Sequence, residues 1–132
     1  MHRFPVTVYY EDTDMGGIVY HANYLKYIER ARSAWVRELG VDQNALREAG
    51  LVFAVRHIAA DFRAPARLDD QLTVITDLSS IQGARFLMSQ QVLGPTSTPL
   101  FTAEVTVVTI TLTGRPARLP AELRRKLTAA IS

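Results

Sequence analysis

The chain has 132 residues, 48% hydrophobic and 21% charged, a composition that fits one globular domain over 1–132 and excludes disordered and membrane-embedded classes. No apolar run approaches the roughly 20 residues needed to span a bilayer, and the absence of cysteine removes disulfides, thiol nucleophiles and Cys-ligated zinc. The formal net charge is only +2, with basic and acidic residues interleaved, so there is no electrostatic footprint for nucleic acid.

Phe4, Val6, Val8 and Tyr10 alternate with Pro5, Thr7 and Tyr9, which predicts a first strand with Pro5 at its beginning or at a sheet edge. No apolar stretch or cleavage site of a secretory signal is present there, so a cytoplasmic location is expected. The strand runs into an acidic, glycine-bearing loop, Glu11 to Gly17. A long helix then begins near His21 to Asn23 and ends before Gly40, a residue suited to the left-handed position after a helix. Leu25, Ile28, Ala31, Trp35 and Leu39 form one apolar stripe and Tyr24, Tyr27, Ala31 and Ala34 a second, which predicts a helix buried on most sides. Asp42 to Ala49 reads as a short helix capped by Asp42 and stopped by Gly50.

Beyond Gly50 the pattern turns to strands: Val52 to Phe62, Leu72 to Thr76, Phe86 to Leu93 and Phe101 to Leu112. Pro65 to Asp70, Gln82-Gly83 and Gly94 to Pro99 separate them as turns or loops. Pro120 opens a final helix, Ala121 to Ile131. The layout is one strand, a long buried helix and four strands in meander-like succession, an α+β arrangement whose sheet should curl around the helix. Val52 to Phe62 is a long apolar strand that, at an edge, invites pairing with another chain.

Chemistry concentrates in Tyr9 to Tyr24, where three acids, a histidine and two glycines lie between a strand end and a helix start. A helix N-terminus presents unpaired N–H groups and the positive end of a dipole, and such a place can polarise a carbonyl. A carboxylate opposite it can activate water or attack the carbonyl directly. These residue types suit transfer of an acyl group to water.

Tyr10-Glu11-Asp12-Thr13-Asp14, Gly17, Val19-Tyr20-His21-Ala22-Asn23-Tyr24 and Tyr27-Ile28-Glu29-Arg30-Ala31-Arg32 resemble, in order, the signature of the 4-hydroxybenzoyl-CoA thioesterase branch of hotdog proteins. Phe53-Ala54-Val55-Arg56, Ala64 to Asp70 and Arg118-Leu119-Pro120 extend the likeness over nearly the whole chain, toward the bacterial acyl-CoA thioesterases associated with the Tol-Pal cell-envelope system. The resemblance implies a hotdog fold, five antiparallel strands wrapped around one long helix. It also implies subunits paired edge to edge as a homodimer or homotetramer, with the active site at their interface. It places the catalytic aspartate on Asp14 and the histidine on His21, whose backbone N–H would polarise the thioester carbonyl. Arg85, with Gly83 in the preceding turn, falls where related proteins approach the phosphates of coenzyme A, against the alternative of a solvated strand-end arginine. Met15, Ile18 and Asn23 stand where the family is looser and are read as tuning substrate fit.

Tyr10 is read as a core residue with its hydroxyl near the site, and Glu11 and Asp12 as loop and strand-end acids. Glu29 and Arg32 are expected to pair along the helix, and Tyr24, Tyr27 and Trp35 to fill core and interface. The basic residues Arg115, Arg118, Arg124, Arg125 and Lys126 form either a solvated face or an attraction for a phosphorylated ligand. The expected activity is hydrolysis of an acyl-CoA, or of a thioester on acyl carrier protein, with no metal and no cofactor beyond the coenzyme A of the substrate. The rival readings are a hydratase or dehydratase, whose acid would project from the central helix, a metal enzyme built on Asp12, Asp14 and His21, and a non-catalytic acyl-binding module of the cell envelope.

Overall fold

The computed structural model describes residues 1–131. Strand β1 (His2–Thr7) leads through a 3₁₀ turn (Tyr10–Asp12) and a tight loop to helix α1 (His21–Glu38), followed by α2 (Gln43–Glu48). Strands β2 (Leu51–Phe62), β3 (Gln71–Gln82), β4 (Arg85–Leu93) and β5 (Pro99–Thr111) complete a five-stranded sheet, and α3 (Ala121–Ala129) closes the described chain. All neighbouring strands are antiparallel, in the order β1-β3-β4-β5-β2.

The α+β hotdog layout expected from the sequence is present, with one correction. β3, β4 and β5 form a meander, but β2 pairs with β5 and not with β3. The segment joining β2 to β3 therefore crosses the end of the sheet. Arg63 and Ala64 donate their N–H groups to Leu100 O, the Ala66 N–H reaches the Tyr24 hydroxyl, and the Asp69 N–H reaches Val8 O. Only its last part is a turn, with Asp69 at φ +70 and the Asp70 carboxylate accepting the Arg67 N–H. Alternation of residues announces a strand, but pairing is decided by which inner faces fit together, here Phe62 opposite Phe101 and Ile58 opposite Val105.

Inner-face side chains Val74, Leu78, Met88, Val92, Phe101 and Val105 pack against Tyr27, Ile28, Ala31 and Trp35 of α1. The helix ends as Gly40 implied: φ is +80 there, the Gly40 N–H reaches Arg37 O and the Val41 N–H reaches Val36 O. Asp42 caps α2 by accepting the Asn44 and Ala45 N–H groups. The expectation of a helix buried on most sides does not hold within one chain. Leu25, Lys26, Glu29 and Arg30 are exposed, so Leu25 leaves the apolar stripe assigned to it. Both edges of the sheet are open, β1 carrying Pro5 at one and the 12-residue β2 forming the other.

Tyr27 is fully buried and its hydroxyl lacks a well-formed hydrogen bond. Burial first, then the facing Asp12 carboxylate, pushes its pKa well above the ordinary tyrosine value near 10. A phenol with a raised folded pKa contributes stability that is complete below the unfolded value and is lost as pH rises through the folded one. Tyr27→Phe should change stability at pH 7 by less than about 1 kcal/mol, because the hydroxyl meets its polar neighbour, the Asp12 carboxylate, without a well-formed bond. Thermal unfolding above pH ~10 should show a smaller alkaline loss in the variant than in the native chain.

Candidate active site

β1 stops at Thr7 because the chain turns at Tyr9 into the 3₁₀ turn, so Tyr10 is not the core residue expected of it: it is 83% exposed. The acid that organises the turn is Asp12, which is buried. Its carboxylate accepts the Tyr9 N–H at 2.9 Å and the Asn23 side-chain amide at 2.8 Å, while its carbonyl accepts the Tyr20 N–H at 2.8 Å. Asp12 thus ties the end of β1 to the first turn of α1. Asn23 is its buried partner, not a residue tuning substrate fit. The sequence signal was an acid and an amide on either side of a helix start, and only the fold shows that they meet.

Between these anchors the loop closes on itself. Thr13 bridges Val19, the Asp14 N–H reaches Ile18 O at 2.9 Å and the Gly17 N–H reaches Asp14 O at 3.0 Å. Ile18 bridges Arg67 and the Val19 N–H reaches Ala66 O, so the β2–β3 crossover supports the loop from behind. Gly17 lies at φ +75, a conformation that costs an ordinary residue roughly 1–2 kcal/mol. Gly16 is needed for space: a Cβ there would sit 3.2 Å from Asp14 Oδ1.

Asp14 is exposed, and Oδ1 accepts the Gly16 N–H at 2.9 Å, which fixes the side chain and leaves Oδ2 with no partner among the described residues. His21 opens α1. Its ring tilts against Tyr20, centroids 4.6 Å apart, and meets the edge of Phe62 at 6.1 Å. Tyr20 caps the helix with extended backbone and no side-chain bond. The N–H groups of His21 and Ala22 therefore have no acceptor among the described residues. A carboxylate with a free oxygen and a pair of unpaired helix N–H groups stand on the same end of the fold, held there by the Asp12 and Asp14 hydrogen bonds. Tyr9, Tyr10, Met15, Tyr20, Phe62 and Leu68 are all exposed and apolar or aromatic on this end.

Asp12 and Asp14 do not act as a pair of ligands, since one is buried with its oxygens taken and the other is exposed. Among the described residues no group of three His, Asp or Glu side chains could hold a metal ion. Glu29 and Arg32 approach to 3.6 Å, as expected. Tyr24, which stacks on Phe101 at 5.1 Å, Tyr27 and Trp35 are buried core residues. Burial holds the Tyr24 phenol above its ordinary pKa, partly offset by the bond from the Ala66 N–H.

Gly83 and Arg85 are not brought to Asp14 within one chain. Thr7, which precedes the site, pairs with Gln71 at the start of β3, whereas Gly83 and Arg85 follow its far end. A 12-residue strand spans roughly 35–40 Å. Gly83, at φ +59, begins a two-residue turn between the paired Gln82 and Arg85, and Arg85 is exposed. The basic cluster divides there: Arg124 reaches Gly83 O at 3.5 Å and Lys126 reaches Gly40 O at 2.9 Å.

Residues 8–127 match the family model described as the thioesterase-like superfamily. The chain is 42% identical over 121 residues to the acyl-CoA thioester hydrolase YbgC of Escherichia coli O6:H1, covering 91% of this chain and 90% of that protein. It is 48% identical over 91 residues to the acyl-CoA thioesterase YbgC of Haemophilus influenzae, covering 68% and 67% respectively. A probable thioesterase from Bartonella henselae superposes with a TM-score of 0.85 at 43% identity, over 90% of this chain and 98% of that one. The residues that form the loop, the helix start and the sheet around them thus fall within a match spanning almost the whole chain, and the protein belongs to the thioesterase-like superfamily of hotdog proteins.

Proposed function

We propose that this protein hydrolyses the thioester bond of an acyl-CoA to a free acid and coenzyme A, with Asp14 and His21 at the centre of the reaction. The observation that carries the reading is a partly free carboxylate on the loop that leads into a helix N-terminus with two unpaired N–H groups. The thioester carbonyl takes the His21 N–H, the positive end of α1 stabilises the oxygen as charge develops on it, and Asp14 draws the proton from the attacking water. The exposed apolar residues around the loop supply a wall for the acyl group. No cofactor enters this scheme, and coenzyme A is part of the substrate.

The reading extends to a homodimer or homotetramer in the cytoplasm, with acyl carrier protein as another source of the thioester. Support for pairing comes from the open β2 edge and from the separation of Arg85 and Gly83 from Asp14 in one chain. Antiparallel two-fold pairing of β2 with its copy sets the Leu51 end of one strand beside the Phe62 end of the other, and so carries the Gly83 turn toward the partner's Asp14. No helix of the described residues is long and apolar enough to cross a membrane.

Thiol release over a panel of acyl-CoA chain lengths tests the activity, and no release from any member would overturn it. In the same assay Arg85→Ala should raise KM for acyl-CoA with kcat nearly unchanged, because phosphate contacts are uniform between ground and transition states. An acyl-pantetheine lacking the nucleotide should not distinguish the two proteins. Equal KM values for acyl-CoA would return Arg85 to the solvated surface.

A further inference from the structure

Ala66 lies where the β2–β3 crossover passes behind the Asp14 loop, and it is fully buried. A buried peptide needs partners for both of its polar groups. The Ala66 carbonyl finds one in the loop, accepting the Val19 N–H at 2.9 Å. The Ala66 N–H has no backbone acceptor and is met by a side chain, the Tyr24 hydroxyl, at 3.1 Å. Its neighbours in the crossover take no part. Pro65 carries no N–H, the Ala64 N–H goes to Leu100 O, and the Arg67 N–H goes to the Asp70 carboxylate. Among the described residues the bond to Tyr24 is the one hydrogen bond that joins residues 63–70 to α1.

The hydroxyl is held in place by the packing of its ring. Tyr24 stacks on Phe101 at 5.1 Å with an interplanar angle of 10°, and meets Phe62 and Tyr27 edge-on at 5.8 and 6.1 Å. It stands three residues after His21, about 4.5 Å along the helix axis, so it moves with the turn that presents the His21 and Ala22 N–H groups. The Asp14 loop is therefore fastened to the first turns of α1 on both sides. Before Asp14, the Asn23 amide donates to the Asp12 carboxylate at 2.8 Å. After Asp14, Val19 hangs on Ala66 and Ala66 on Tyr24. The Thr13–Val19 bridge and the bond from the Asp14 N–H to Ile18 O join the two sides. Acyl transfer depends on the spacing between carboxylate and helix end, where a displacement of about 1 Å can cost on the order of 10² in rate.

We propose that Tyr24 is a positioning residue: through the Ala66 peptide, its hydroxyl sets where the Asp14 carboxylate stands relative to the N-terminus of α1. The inference rests on the hydrolytic reading for the reaction that is served, not for the tie between Tyr24 and the loop.

Tyr24→Phe removes the hydroxyl and keeps the ring against Phe101 and Phe62. In thiol release, kcat should fall roughly tenfold with KM within about twofold, since Tyr24 is buried and acts on the carboxylate, not on binding. The same change made in Asp14→Asn should alter the residual kcat by less than about twofold, because a residue acting through the carboxylate then has nothing left to place. An equal loss in both backgrounds would overturn the proposal and make Tyr24 a support of the fold alone. Amide exchange followed by NMR on the free protein reads the tie without turnover. In Tyr24→Phe the Asp14 and Val19 N–H groups should exchange about tenfold faster, while those of Ile28 and Ala31 in the middle of α1 keep their native rates. Native rates at Asp14 and Val19, or faster exchange at Ile28 and Ala31 as well, would overturn the proposal whatever the kinetics. Faster exchange confined to the loop in a protein that releases no thiol would remove the hydrolytic reading and support the placement of the loop by Tyr24.

Discussion

Asp14→Asn should cut kcat for acyl-CoA hydrolysis by roughly 10²–10⁴ while leaving the fold intact. The loop tolerates the change because the Asn carbonyl oxygen can still accept the Gly16 N–H that Asp14 Oδ1 takes at 2.9 Å. The backbone bonds of the loop, Asp14 N–H to Ile18 O and Gly17 N–H to Asp14 O, do not involve the side chain. What disappears is the charge and the basic oxygen that Asp14 leaves without a partner among the described residues. Thiol-release kinetics measure the loss, and an unchanged melting temperature shows that it is chemical. A variant with near-native kcat would remove Asp14 from the reaction. Single turnover in ¹⁸O-labelled water then separates its roles, since attack by Asp14 puts label in the protein and activation of water puts it only in the acid product.

The second large effect should come from an acid that never meets substrate. Asp12 is 4% exposed, and Asp12→Ala would strand the Tyr9 N–H and the Asn23 amide, both of which it satisfies at present. A stranded buried donor such as the Asn23 amide costs about 1–3 kcal/mol and the part-buried Tyr9 N–H adds less, so the loss should be about 3 kcal/mol. For a chain of this length that is a fall in Tm of roughly 10 °C. Activity should fall as well, because Asp12 joins the end of β1 to the helix start that carries the His21 and Ala22 N–H groups. Thermal unfolding and thiol release on the same preparation check both effects. A variant with native Tm would show that Asp12 does not hold the site together. Asn23→Ala, which removes one of the two bonds, should show about half of the stability loss.

Much of this was readable in the residue order, and the reason is local. Runs rich in Val, Phe, Ile and Thr between turn signals placed β2, β4 and β5 to within a residue or two, because β-branched and aromatic side chains suit a pleated strand, and period-two alternation placed β1 at its start. Gly40 and Gly50 marked helix ends because their φ values of +80 and +91 are strained for other residues. Asp42 marked a helix start because its short side chain reaches the next N–H groups. The ordered match from Tyr10 to Arg32 pointed to the family and singled out the loop and helix start, although the sequence assigned Tyr10 to the core and read Asp12 as a loop and strand-end acid, not as a buried anchor.

Tertiary structure decided everything that depends on which distant segments meet. That β2 lies beside β5, that Asp12 finds Asn23, that the β2–β3 crossover backs the Asp14 loop, and that Gln90 and Arg32 meet beneath α1 are contacts between groups far apart in the chain or across a turn. Each such contact depends on the shape and burial of faces that only the assembled sheet creates. Burial is also what separates two acids of one short motif. Asp12 and Asp14 read alike in sequence, but Asp12 is enclosed with its oxygens taken by N–H donors, whereas Asp14 projects from a closed loop with an oxygen left free for chemistry.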